Sequence, residues 1–352
     1  MKEFFTFFEE IESAFKSIVL PNRPWLNNMN GKGGDVMTTG VNRVVIAGTG
    51  FVGSSYAYAL VNQGITEELV LVDVNQEKAE GEVMDLNHGR FFYESPSKVW
   101  NGHYHDCKEA DIVCITAGVS QTDEETRLSA VEKNTEIVKS IVDDVMAHGF
   151  NGIFLVSTNP VDIITQATWK FSGLPKERVI GSGTLLDTAR YLHMLGEYFT
   201  VDPKSISGYI VGEHGDSQVA ALSNVAIGGK NVMDIVNTSD KYKLKDLEDI
   251  AVNVRNAADI VIEKKGSTYY GIGAGLARIT KAILKNENTV LPVSALLDGE
   301  YGFHDIYTGV PAIINRQGVK EIIELDLNKE EQDKLTSSIE VLRSTMKPLL
   351  KL

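Results

Sequence analysis

Val44-Val-Ile-Ala-Gly48-Thr-Gly50-Phe-Val-Gly53 runs an apolar stretch into a G-x-G-x-x-G turn, and residues 54–63 continue as a helix. Glycines at these positions let the chain turn tightly, bring its backbone against a diphosphate and pack helix on strand. The phosphates then meet the unpaired N–H groups and positive dipole end of that helix. Asp73 ends the next apolar run, 20 residues beyond Gly53. A carboxylate there accepts hydrogen bonds from a ribose diol and repels a 2′-phosphate, so the pattern reads as a site for NAD rather than NADP.

Similar apolar runs occupy Leu69–Val74, Ile112–Ala117 and Ile153–Ser157, each the length of a strand buried on both faces. Helix-period segments lie between several of them, which predicts a doubly wound parallel sheet over residues 41–181. Beyond about Ile180 the texture is mixed. Helical stretches at Leu185–Phe199, Leu244–Lys264 and Gly271–Leu284 surround alternating segments near 208–211, 222–227, 290–295 and 321–327. This predicts a second, α+β domain over 182–352. Residues 1–40 stand apart: Phe4, Phe5, Phe7, Phe8, Ile11, Phe15 and Ile18 fall on one face of an amphipathic helix, followed by a Pro- and Gly-rich linker. They are expected to be a docked arm, or an extension foreign to the natural product, and are assigned no function.

The chain has 352 residues, enough for two domains, and 34 Lys and Arg against 48 Asp and Glu leave a net charge of −14. No basic cluster offers a face to nucleic acid, whereas one or two well-placed arginines suffice for a small anion. No apolar run approaches a membrane span. Glu9, Glu10 and Glu12 interrupt any signal core and argue against a mitochondrial presequence, so the expected location is the cytoplasm. Cys107 and Cys114 are too few for a disulfide framework and read as reduced thiols.

Candidate chemistry gathers in the second half. His214 sits between glycines in Gly212-Glu-His214-Gly-Asp-Ser217, a tight turn that presents a proton-transferring imidazole to a cleft. Asp187 and Arg190 share a helix face at i, i+3, either as a local ion pair or as an orienter for a histidine and a fork for a carboxylate. Gln121-Thr-Asp-Glu-Glu-Thr-Arg127 and Asn159-Pro-Val-Asp162 each follow a strand at its ligand-binding end. His103-Tyr-His105-Asp-Cys107 alternates like a strand with metal ligands on one face, but nothing at matching spacing completes a site, and no metal is expected.

From Val41 to Leu352 the chain resembles bacterial L-lactate dehydrogenases, on motifs such as GTGFVGSSYA, STNPVDI, TLLDTAR, GEHGDS and KKGSTYYGI. The resemblance implies that His214 exchanges the proton with the substrate and that Asp187 holds its ring. Arg190 would grip the substrate carboxylate, and Arg127, on a closing loop, would polarise the carbonyl. Asn159 and Thr268 would flank substrate and nicotinamide, with Ile272 against the ring. Gly48, Gly50, Val52, Gly53, Asp73, Lys78, Tyr104, Gly118, Val119, Ser140 and Ser157 fall on cofactor-contact positions. Gln121 stands where malate dehydrogenases carry an arginine, which implies pyruvate and lactate as substrates rather than dicarboxylates.

There are departures from the family. Thr122, Asp123 and Glu124 replace the usual lysine, proline and glycine of the loop, which leaves room for an L-2-hydroxyacid dehydrogenase of larger keto acids. A non-catalytic NAD-binding paralogue is the competing reading from another class. Leu192 and Ser207 stand where many relatives bind fructose 1,6-bisphosphate through an arginine and a histidine, so no activation by the bisphosphate is expected. The resemblance also implies a homotetramer.

Overall fold

A computed structural model of the protein describes residues 41–119 and 127–347, with backbone alone at Arg127 and Leu128. The helix expected within residues 1–40 and the loop residue Gln121 lie outside the described residues.

Strands β1 (Arg43–Ala47), β2 (Glu68–Val72), β3 (Lys98–Asn101), β4 (Ile112–Ile115), β5 (Ile153–Val156) and β6 (Val179–Gly181) are parallel and ordered β3-β2-β1-β4-β5-β6. Helices α1 (Phe51–Asn62), α2 (Gln76–Gly89), α3 (Arg127–Ala147) and α4 (Val161–Ser172) connect them. Successive residues of one strand feed opposite cores. Val44 and Ile46 pack with Tyr56 and Leu60 of α1, while Val45 and Ala47 pack with Val138 and Val142 of α3. Burial on both faces is why these strands read as unbroken apolar runs. The strand order reverses between β1 and β4, so the loops after those two strands splay apart and open a crevice.

After β6 come α5 (Leu185–Phe199), the short strands β7 (Ile206–Ser207) to β11 (Lys230–Asn231), and α6 (Val232–Asn237). Then follow α7 (Leu244–Lys265), α8 (Tyr270–Leu284), β12 (Thr289–Asp298), β13 (His304–Asn315), β14 (Gly318–Ile322) and α9 (Lys329–Met346). Tyr191, Leu195 and Phe199 of α5 form a third core with Leu247 and Val254 of α7. The last three strands do not build a separate sheet. β12 pairs antiparallel with β6 through Ser294 and Gly181, extending the parallel sheet to nine strands. The helical expectations for α5, α7 and α8 match to within a residue at each end.

Three local expectations differ. His103–Cys107 is not a strand: residues 104–109 form a 3₁₀ turn, because the Asp106 carboxylate turns back to accept the His103 N–H at 3.0 Å. The segment 321–327 is strand only as far as Ile322, and the alternation expected near 222–227 begins with a 3₁₀ turn at Leu222–Asn224.

Candidate active site

The glycine turn after β1 shows a separate reason for each glycine. Gly48 has φ +108°, and a side chain there would strike the Ala117 backbone at 2.6 Å. At Gly53 a Cβ would lie 2.0 Å from the Gly48 carbonyl oxygen, so α1 packs this closely only without one. Gly50 differs: it precedes α1 with no side-chain cap, and nothing in the protein lies within 4 Å of where its Cβ would be. That open space beside uncapped N–H groups fits a diphosphate. Asp73, at the end of β2, accepts the Thr49 N–H at 2.6 Å, the Thr49 hydroxyl at 2.9 Å and the Asn75 N–H at 2.9 Å. Burial opposes its charge, but these donors and Lys78 hold the carboxyl below its ordinary pKa. It therefore stays ionised beside the turn, oriented for a ribose.

Val52, Gly118, Val119, Ser157, Asn159 and His214 line one cleft of about 560 Å³ at the crevice. Two further charged groups stand behind His214. His214 Nδ1 lies 2.5 Å from Asp187 Oδ2, and Arg190 Nη1 donates to Asp187 Oδ1 at 3.1 Å. One buried carboxylate thus contacts both the imidazole and the guanidinium.

Residues 42–181 match the lactate/malate dehydrogenase NAD binding domain, and residues 184–352 match the alpha/beta C-terminal domain of the same enzymes. The chain belongs to the lactate/malate dehydrogenase family. It is 59% identical over 311 residues to L-lactate dehydrogenase 2 of Peribacillus psychrosaccharolyticus, covering 88% of this chain and 98% of that one. Its identity to L-lactate dehydrogenase 2 of Bacillus anthracis is 59% over 314 residues, 89% of this chain and all of that one. The crystal structure of the minor L-lactate dehydrogenase from Enterococcus mundtii in its ligand-bound form superposes with a TM-score of 0.86 at 51% identity, covering 88% and 98% of the two chains.

Within this family site, charge and burial set the proton affinity of His214. Burial disfavours the imidazolium, but the charge and hydrogen bond of Asp187, with Asp162 behind, outweigh it and raise the pKa above the ordinary value. Asp187 is opposed by its own burial, yet His214 and Arg190 hold it below the usual carboxylate range. An ionised Asp187 accepts, so Nδ1 donates and Nε2 is left to exchange a proton with a ligand.

The remaining expected residues are placed less centrally. Lys78, Tyr104, Ser140, Arg190, Thr268 and Ile272 are not among the residues lining the cleft. Ile272 packs at the edge of the α1–α8 core, and Tyr104 lies in the 3₁₀ turn with its hydroxyl pKa pushed up to about 12 by burial. The Arg127 side chain lies outside the described residues, although its backbone begins α3. Among the described residues no group of three or more His, Cys, Asp or Glu is placed to hold a metal, and no helix is long and apolar enough to cross a membrane.

Three functional residues escaped the sequence reading. Buried Asn134 of α3 accepts the Val119 N–H at 2.8 Å and donates to the carbonyls of Val119 and Asn159, tying together the loops after β4 and β5. Asp162, in the first turn of α4, accepts the His214 backbone N–H at 2.8 Å and the Ser294 hydroxyl at 2.6 Å. Burial pushes its carboxyl up to about 6. Ser338 of α9 accepts the Glu213 N–H at 2.8 Å, and its hydroxyl fills the space that a Gly212 side chain would need. The turn carrying His214 is therefore held from α4, α5 and α9 at once.

Gly50→Ala is expected to melt like the wild type while binding NADH at least tenfold more weakly, on the order of 1.4 kcal/mol. Gly53→Ala loses about 3 kcal/mol of stability through overpacking. Thermal melts alongside NADH fluorescence titrations separate the two. Asp162→Asn removes a negative charge behind His214, so the pH limb governed by that imidazole moves down; an unchanged or raised limb would contradict the electrostatic role of Asp162.

Proposed function

We propose that the protein is an NAD-dependent L-lactate dehydrogenase that interconverts pyruvate and (S)-lactate. The observation that carries this is the convergence of His214 and Arg190 on Asp187, beside the crevice that the glycine turn opens. Bound NADH supplies the hydride to the keto carbon. Asp187 occupies one nitrogen of the Arg190 guanidinium, and the other N–H groups grip the substrate carboxylate in parallel. His214 donates its Nε2 proton to the carbonyl oxygen as charge builds there, and takes it back in the reverse direction. Asp187 stabilises the imidazolium needed for reduction.

Other roles rest on the resemblance. Arg127 polarises the carbonyl, a contribution of about 2.7–4 kcal/mol for a preorganised donor in a dry site. Gln121 accepts a methyl-bearing substrate and offers no counter-charge to a second carboxylate, whose unpaired burial would cost several kcal/mol. Asn159, Thr268 and Ile272 complete the substrate and nicotinamide contacts, and Lys78, Tyr104, Ser140 and Ser157 the outer cofactor contacts. The domain boundary is placed at 181/182. A homotetramer in the cytoplasm completes the reading.

A second reading, preference for larger 2-keto acids, is favoured by Thr122, Asp123 and Glu124 in the loop. Comparing kcat/KM for pyruvate with that for 2-ketoisocaproate decides between them. A cofactor-binding protein without turnover is opposed by the buried Asp187–Arg190–His214 cluster, since burying charges serves no purpose in simple nucleotide binding.

NADH oxidation with pyruvate at 340 nm is expected for the wild type, and His214→Asn lowers kcat by about 10²–10⁴. Pyruvate reduction needs the protonated imidazole. The rate therefore holds at low pH and falls as pH rises through a value above the usual histidine range, while lactate oxidation shows the opposite limb. Fructose 1,6-bisphosphate leaves the pyruvate saturation curve unmoved. Leu192 is packed into the α5 core and Ser207 is a surface hydroxyl, so neither position carries a cation to discharge a bisphosphate.

A further inference from the structure

Helix α7 contributes one residue to the cleft lining, Asp259. It is exposed, and among the described residues its carboxylate has no ion-pair or hydrogen-bond partner. Among the described residues, His214 is the only other ionisable side chain in that lining. The other described lining residues are apolar or neutral, with Val52, Val119, Val131 and Pro160 among them. A charge facing such walls is screened less than one on an open surface.

The charges behind the cleft make this carboxylate matter. Arg190, a protonated His214 and, on the resemblance, Arg127 bring three positive charges, while Asp187, Asp162 and Glu213 bring up to three negative ones, all three of these acids buried. The reacting cluster therefore has no positive excess to spare once it has taken the carboxylate of one 2-keto acid. Asp259 adds a further negative charge on the open side.

We propose that Asp259 is a specificity-determining residue that filters substrates by charge, disfavouring 2-keto acids with a second carboxylate more strongly than those with neutral side chains. The inference rests on the 2-keto acid reading of the site. Its effect scales with substrate charge. A dianion meets the field of Asp259 twice where a monoanion meets it once, so neutralising the residue raises dianion turnover by roughly the square of the monoanion effect. This discrimination is separate from that assigned to Gln121, because it acts through the field across the cleft rather than through the absence of a paired cation.

The experiment compares kcat/KM for pyruvate, 2-ketobutyrate and oxaloacetate in the full-length wild type, Asp259→Asn and Asp259→Lys. Asp259 is exposed and outside the proton-transfer cluster, so both variants are expected to fold and to reduce pyruvate. In Asp259→Asn the oxaloacetate-to-pyruvate ratio is expected to rise about 3–10-fold. It rises further in Asp259→Lys, and the gain shrinks in 0.5 M NaCl as the field is screened. The 2-ketobutyrate-to-pyruvate ratio stays constant, because that substrate is larger but no more charged. Normal pyruvate turnover with an oxaloacetate ratio unmoved within twofold in both variants would overturn this inference alone, as would an equal rise for 2-ketobutyrate, which would mark a steric effect. Wild-type protein that oxidises NADH with none of the three acids would overturn the proposed function and this inference with it.

Discussion

A single buried carboxylate, Asp187, is shared by an imidazole and a guanidinium, and the site depends on that sharing. Desolvating a carboxylate costs several kcal/mol, which one partner at imperfect geometry does not recover. Two partners do, and the downward shift of the Asp187 pKa despite its burial is the sign that they prevail. The same bonds fix which histidine nitrogen faces the ligand and how the arginine fork is turned. On the proposed mechanism, proton transfer and carboxylate recognition are therefore one electrostatic unit.

The sheet makes this unit possible. β6 delivers the chain into α5, whose first turns carry Asp187 and Arg190, and β12 pairs with β6 so that Ser294 stands against Asp162. Asp162 then reaches the His214 backbone from the helix that follows the cofactor crevice. Because β12 to β14 continue the nucleotide-binding sheet, the parts holding the cofactor and the parts holding the histidine share one hydrogen-bonded frame. A tolerance of a few tenths of an ångström across the crevice is easier to keep along a sheet than across a linker.

Much of this was legible, for physical reasons that differ by element. β1, β2, β4 and β5 are buried on both faces, so their apolar runs announce them. β13 did not announce itself, because Gly309 and Pro311 lie within it. The structure tolerates the proline because Pro311 faces Pro292 of β12 at a non-hydrogen-bonded rung: Pro311 turns its carbonyl outward to accept the Ile323 N–H at 2.8 Å, so no bond between β12 and β13 is lost there. The glycine turn and Asp73 were legible because backbone clearance and spacing are local properties. Asp162 was not. An acid in the first turn of a helix reads as a favourable partner of the helix dipole. Its acceptor role needs Ser294, 132 residues away. Asn134 and Ser338 were hidden in the same way, as polar residues on helices whose partners are loops distant in sequence.

The chain carries fourteen more negative than positive side chains, yet its proposed substrate and its cofactor are anions. The resolution is local. On the proposed chemistry the phosphates meet uncapped backbone N–H groups, whose partial charge no acidic composition removes, and the carboxylate of the keto acid meets the Arg190 guanidinium. The fixed side-chain charges around these contacts are mostly negative, from Asp73 to the carboxylates behind His214. An environment of that kind admits an anion only where a directed donor waits for it. On the proposed chemistry the surplus negative charge also keeps His214 loaded with its proton, and a monoanion arriving at Arg190 strengthens that loading. The acidity that hinders anion entry is thus the same acidity that readies the acid for transfer.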